Sequence, residues 1–196
     1  SPLTAGCHYT WGCEKYKSKC QACPQLNPQL NKDIAARYWE MKAEALEGLN
    51  LHLVANCEWG AERARESALM RHAKSVRVIH TGVENDIFYP RDKSELRKKL
   101  GLPQGRKFVC FSAEILDDER KGLDDVLQAF THDGLRERAD LLLIGHTERT
   151  IDESHVHRVG SLSDRWKLAE YYAASDLFVC ASKQEMFAQS VLEALA

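Results

Sequence analysis

No stretch of this 196-residue sequence stays apolar over the roughly 18 to 20 residues that a membrane span needs, so a transmembrane helix is not expected. No basic segment followed by an apolar one reads as a secretion signal. Neither sign of charge dominates: 27 Lys and Arg stand against 29 Asp and Glu, a net charge of -2. Binding to nucleic acid is therefore not expected, because phosphate neutralisation calls for surplus cations. With 44% hydrophobic residues and little net charge, disorder is also excluded. Internal repeats and low-complexity tracts are lacking. The length suits one ordinary domain or parts of two. The residues start at Ser1 without a Met and stop at Ala196 inside an apolar helical pattern, VLEALA, without a Gly or Asn cap. That pattern predicts a piece truncated at both ends, with functional groups missing from each.

Cysteine and proline are abundant in one place. Residues 1–31 hold Cys7, Cys13, Cys20 and Cys23 and three of the five prolines, with no sustained periodicity, and read as a long irregular Cys-rich loop. A helical pattern follows from Lys32 to Leu49, with Ile34, Tyr38, Met41, Ala45 and Leu49 near one face. Leu51–Asn56 is of strand length, and Cys57–His72 reads as a second helix. After Lys74 the rhythm alternates. Strands are expected at Val76–Ile79, Lys107–Ser112, Asp140–Ile144, Val156–Val159 and Leu177–Ala181. Helices are expected at Ser94–Leu100, Gly122–Phe130, Ser163–Ala174 and from Gln189 onward. Gly101 and Pro103 mark the first of these helix ends. Short apolar strands between helices predict an α/β fold, a parallel sheet covered by helices on both faces. Ligands bind such sheets at the carboxyl ends of the strands, so the loops after Ser112, Ile144, Val159 and Ala181 carry the interest.

Two of those loops hold chemistry. After Ala181 the chain places Glu185 in a loop and Glu193, beyond seven intervening residues, in the following helix. Free amides at a helix start attract phosphate, and a carboxylate one turn in can accept hydrogen bonds from sugar hydroxyls. By spacing alone, a solvated glutamate pair is the simpler reading. After the strand KFVCFS, Glu119-Arg120-Lys121-Gly122 opens a helix, and Lys121 could reach an anionic phosphate at the sheet edge. A solvated charge run is again the simpler reading. The four early cysteines leave three alternatives open. They can close a tetrahedral zinc site, remain reduced and unliganded, or pair as disulfides, which the lack of a secretion signal disfavours. Cys57, Cys110 and Cys180 lie at or in apolar strands and read as small buried hydrophobes. His8 reads as a polar loop histidine. Tyr9, Trp11, Tyr16, Tyr38 and Trp39 read mostly as packing for the loop and its helix, with stacking on an acceptor sugar as the alternative.

Glu185 to Glu193 with Phe187 between them, followed by Leu192-Glu193-Ala194-Leu195-Ala196, resembles the E-x7-E signature of retaining GT-B glycosyltransferases of family four. So does Arg120-Lys121-Gly122 before an apolar helix. So do the turn Val78-Ile79-His80-Thr81-Gly82-Val83-Glu84 with Phe88, and the run Tyr172 to Val179. Thr4 to Tyr9 and Cys20 to Leu26 resemble a cysteine-bearing subgroup of the same enzymes. The resemblance implies a two-domain GT-B enzyme that moves a sugar from a nucleotide-diphosphate-sugar donor to an acceptor hydroxyl, keeps the anomeric configuration and requires no metal cofactor. It implies that 1–75 is the end of an N-terminal, acceptor-side domain and 76–196 an incomplete, Rossmann-like donor-binding domain. It implies that Lys121 meets the donor diphosphate, Glu185 faces the donor sugar and Glu193 holds the ribose hydroxyls. Phe187, Ala188 and Gln189 would sit against phosphate or sugar, and the stretch Gly160 to Leu162 beside the base. The chain departs from the family at Ser112-Ala113, where a Gly-Arg pair is common, leaving Arg120 as a substitute cation. It departs again at Met186 and Ala188, where glycines are common. The family's acceptor-side histidine, the glycine-rich loop of the N-terminal domain and a final strand and helix would lie outside these residues, so the piece itself is expected to be inactive. A saccharide or lipid-linked acceptor, a cytoplasmic location and at most peripheral contact with the inner membrane face complete the expectation. The alternative is a non-catalytic nucleotide-sugar binding module.

Overall fold

The computed structural model describes residues 1–27, 29, 33–132, 134–151 and 154–196. The chain forms two compact units, Ser1–Thr81 and Gly82–Ala196. Residues 76–81, expected to open the second domain, lie in the first unit.

In the first unit the cysteine-bearing segment is irregular apart from one 3-10 turn, Lys15–Lys17, with Tyr16 buried. Helix α1 spans Ile34–Leu46, and the Asp33 carboxylate caps it by accepting from the Ala36 N–H. Lys32, where the helix is expected to begin, lies outside the described residues. Gly48, at φ +71°, takes the left-handed conformation just past the helix end. The apolar face read from the sequence is not buried. Tyr38, Met41 and Leu49 are all more than half exposed, and the buried position on α1 is Ala35. Periodicity shows which side chains share a face, not whether anything covers it. Strands β1 (His52–Ala55) and β2 (Ser75–Val78) pair in parallel. Between them α2 is shorter than expected, Glu58–Glu66. It stops because Ser67 turns to extended backbone and donates its hydroxyl to the Leu3 carbonyl at 2.8 Å.

The second unit is built on four parallel strands: β3 (Lys107–Ile115), β4 (Ala139–His146), β5 (Val156–Gly160) and β6 (Leu177–Phe178), in the order β5-β4-β3-β6. Strand β4 is central, and every position except its last is buried, as an uninterrupted run such as LLLI requires between two covered faces. Alternation splits its side chains. Leu142 and Ile144 join Phe108, Cys110, Ala169 and Tyr172 in one core, while Leu141 and Leu143 join Phe111, Leu123, Val126 and Phe130 in another. Helices α3 (Lys93–Lys99) and α6 (Arg165–Ala174) supply the first core, and α4 (Leu123–Thr131) the second. The short α5 (Leu135–Arg138), not foreseen, leads into β4, and α7 (Gln189–Leu195) follows β6. Asp92 caps α3 and Asp164 caps α6. Strand β6 is shorter than the apolar run LFVCA, with one more bond from the Val179 N–H to the Cys110 carbonyl. Cys110 is buried, and burial pushes its thiol up to about 12. Cys180 is instead exposed. Cys57 is half-buried, its sulfur accepting from the Gly60 N–H at the start of α2. Neither is the buried hydrophobe expected, because both sit where a strand has given way to a loop or cap.

Candidate active site

Two glycines shape the carboxyl end of the sheet. A Cβ on Gly145 (φ +141°) would stand 1.8 Å from the Ala113 carbonyl oxygen, and one on Gly122 (φ +77°) 2.2 Å from that of Ala181. Only glycine permits these approaches. The first brings the end of β4 against the end of β3. The second lays the 3-10 turn Glu119–Lys121 against the segment after β6, where the Lys183 N–H donates to the Arg120 carbonyl at 2.8 Å. Residues 64 apart in sequence therefore meet: Lys121 Nζ lies 2.8 Å from Glu185 Oε2.

The cleft they border has a volume of about 430 Å³ at the carboxyl ends of β3 and β4. Lys121, Glu185, Leu162, Phe187, Ala188 and Gln189 all line it, as do Ser112 and Tyr172, whose hydroxyls are 2.6 Å apart. Burial pushes the Glu185 carboxyl up, but the Lys121 ammonium, the Met186 N–H and Arg120 outweigh it, and the group lies below the ordinary glutamate range. The side chain of Gln189 is anchored by donation to the Gly82 carbonyl at 2.9 Å.

Three expected residues stand elsewhere. Arg120 does not line the cleft. It is buried beneath Glu185, bonded to Asp118 at 3.0 Å and to Glu185 at 3.4 Å, and so serves as a support for the loop. Gly160 borders a neighbouring cavity of about 340 Å³ with His146, Thr147 and Arg158, and Ser161 borders both. Glu193 lies one helix turn behind the cleft, its side chain 11% exposed, with Oε1 3.0 Å from Arg165 Nη2. Burial, first, and the Glu84 charge push its carboxyl above the ordinary range against the pull of Arg165. Nothing in the linear pattern marks Arg165, which lies 28 residues from Glu193 and immediately after a helix cap.

The four early cysteines come together. Cys7, Cys13, Cys20 and Cys23 all line one cavity of about 370 Å³ in the first unit, beside Tyr16 and Ile34. All seven cysteines are free thiols. Among the described residues no three His, Cys, Asp or Glu side chains are grouped closely enough to hold a metal ion as they stand. Tyr16 packs in the core of the unit, Tyr9 and Trp39 are half-buried, and Trp11, Tyr38 and His8 are exposed. Of the five aromatics, packing thus accounts fully for Tyr16 alone. No helix among the described residues is long and apolar enough to cross a membrane.

A parallel sheet with helices on both faces and a charged cleft at its carboxyl edge defines an α/β fold, here of the GT-B type. Residues 92–196 match the family model of glycosyl transferases group 1, and the chain belongs to that family. The D-inositol 3-phosphate glycosyltransferase of Acidothermus cellulolyticus is 27% identical over 140 residues, 62% of this chain and 31% of the relative. The sucrose-phosphate synthase of Thermosynechococcus elongatus superposes with a TM-score of 0.64 at 22% identity, covering 86% of this chain and 43% of that one. WaaG, a glycosyltransferase involved in lipopolysaccharide biosynthesis, gives 0.63 at 20% identity, covering 82% and 46%. The Anabaena protein HepE in complex with UDP and glucose gives 0.58 at 18% identity, covering 81% and 46%. The chain thus spans under half the length of each of these relatives.

Proposed function

We propose that this chain carries the donor-binding half of a retaining, E-x7-E glycosyltransferase that needs no metal. The observation that carries this reading is the meeting of Lys121 and Glu185 in one cleft at the carboxyl edge of the sheet. In transfer, the bond from the anomeric carbon to the donor diphosphate breaks and a bond to the acceptor oxygen forms on the same face. Negative charge grows on the departing diphosphate. Lys121 and the backbone amides of Phe187, Ala188 and Gln189 meet that charge, as fixed donors in a partly dry site do most effectively. Glu185, freed from Lys121 when the diphosphate takes its place, accepts hydroxyls of the donor sugar. Glu193 holds the ribose hydroxyls, and the stretch from Gly160 to Leu162 borders the base. The donor to try first is a UDP-sugar, since HepE is described with UDP and glucose.

The first unit belongs to the acceptor-side domain, which binds a saccharide or lipid-linked acceptor in the cytoplasm with at most peripheral membrane contact. Its four thiols line one cavity, and a structural zinc ion of a cysteine-bearing subgroup would draw their sulfurs closer together than they stand. Metal analysis of protein purified without chelator checks this: one zinc per chain supports it, and none overturns it.

Calorimetric titration of UDP, GDP and ADP into the protein tests the donor site. Binding of one of them, weakened by about 1.5–3 kcal/mol in Lys121→Ala, is the expected result, the scale of a hydrogen bond to a charged group. If none binds, or Lys121→Ala binds like wild type, the reading fails. Transfer from a labelled UDP-sugar by the whole protein would separate the enzyme from a non-catalytic binding module.

A further inference from the structure

The Glu193 carboxylate is nearly enclosed, yet an acceptor of two ribose hydroxyls must be ionised and held in one orientation. Helix α6 and the segment before α3 face it. Arg165, the first residue of α6, donates from Nη2 to Glu193 Oε1 at 3.0 Å. The same guanidinium reaches Glu84 Oε2 through Nη1 at 2.9 Å, in the segment that leads into α3. Its Cζ lies 5.3 Å from the ring centre of Phe88, which is 2% exposed. Tyr172, two turns along α6 on the cleft wall, is the other titratable group facing Glu193. A guanidinium with its face toward Phe88 and one terminal nitrogen on each of two acids is fixed in orientation, which a lysine ammonium cannot match.

We propose that Arg165 is the positioning residue for donor recognition: stacked on Phe88 and braced by Glu84, it fixes the Glu193 carboxylate for the ribose of the nucleotide. This rests on the donor-site reading above. Arg165 touches no part of the donor itself. It occupies one carboxylate oxygen and leaves the other to accept from the sugar. Without it, Glu193 faces Glu84 and a desolvated surround with no cation, and takes up a proton more readily. A protonated acid accepts ribose hydroxyls poorly. Arg165 thereby sets how strongly the site distinguishes a nucleotide with ribose hydroxyls from one without them.

Titrations with UDP (or GDP or ADP, whichever binds) and with its 2′,3′-dideoxy counterpart test the proposal on wild type, Arg165→Met, Arg165→Lys and Glu193→Gln. Wild type is expected to prefer the ribonucleotide. Glu193→Gln should lose on the order of tenfold in affinity for the ribonucleotide alone. Arg165→Met should reproduce that selective loss and move the acid limb of binding to higher pH, and Arg165→Lys should restore the pH limb in part but not the full preference. A merely structural role for Arg165 would weaken both ligands alike and leave the pH limb in place, and that result overturns the proposal. Loss in Glu193→Gln with wild-type behaviour in Arg165→Met also overturns it. If Glu193→Gln itself behaves like wild type, the ribose assignment fails. If no nucleoside diphosphate binds, the donor-site reading fails as a whole.

Discussion

The two ends of the four-stranded sheet use the same chemistry for opposite purposes. At the amino edge, Asp176 takes the Phe108 N–H at 2.8 Å, Arg97 at 2.6 Å and Lys93 at 3.1 Å. Asp140 takes Arg106 at 2.7 Å and His157 at 2.8 Å, with His155 at 3.3 Å. Burial pushes Asp176 up, but these donors outweigh it and hold the carboxyl down at about 2. At the carboxyl edge, Glu185 takes Lys121 at 2.8 Å, the Met186 N–H at 3.2 Å and Arg120 at 3.4 Å, and Glu193 takes Arg165 at 3.0 Å, but the Lys121–Glu185 pair opens onto a cleft. A carboxylate ringed by donors stabilises the fold. A carboxylate whose nearest cation borders a cavity can exchange that partner for a ligand, at a cost in stability of the unliganded protein. The difference lies in whether a cavity opens beside the ion pair, as it does at Lys121 and Glu185.

That contrast can be broken most severely through the backbone. Gly122→Ala puts a methyl group against the Ala181 carbonyl in a left-handed conformation, and should lower unfolding free energy by about 3 kcal/mol in urea titrations. Next in size, Asp176→Asn should cost about 2–3 kcal/mol at pH 7, the value of a carboxyl moved from its unfolded pKa of about 3.9 down to about 2. The sign follows: the folded pKa is depressed, so the contribution is complete above pH of about 4 and fades as pH falls toward 2. Unfolding curves of Asp176→Asn and wild type should therefore converge in acid. Lys121→Met should cost less than about 1 kcal/mol of stability, because the pair is partly exposed, while greatly weakening nucleoside diphosphate binding. The smallest effect has the opposite sign. Burial raises the Glu193 carboxyl, so its ionisation opposes folding in full above its folded pKa, and that penalty fades as pH falls from there to the ordinary glutamate range. Glu193→Gln should melt slightly above wild type at neutral pH, with the gap closing in acid, in differential scanning calorimetry.

The strands and most helices of the second unit were readable because their local signals agree. LLLI is too apolar to be anything but a covered strand, Gly101 ends α3 as expected, and the sheet's parallel order follows from alternation with helices. Less was readable in the first unit. Tyr38 and Met41 share a face that proved exposed, and the strand at 75–78 pairs backward with β1 rather than opening the next sheet. Lys121 and Glu185, both expected at the donor, do line one cleft, whereas Arg120, expected as a substitute cation, is a buried brace. Arg165 carried no signal at all.

From the residues alone came the period of each element, the glycine that ends α3, and the identity of the charged residues in the loops after the strands. Those properties depend on a few neighbouring residues, so a linear reading reaches them. Folding alone settled which of those charges meet. Whether a cation supports a loop from beneath or faces an open cleft depends on contacts between residues tens of positions apart, and on how much water each carboxylate keeps.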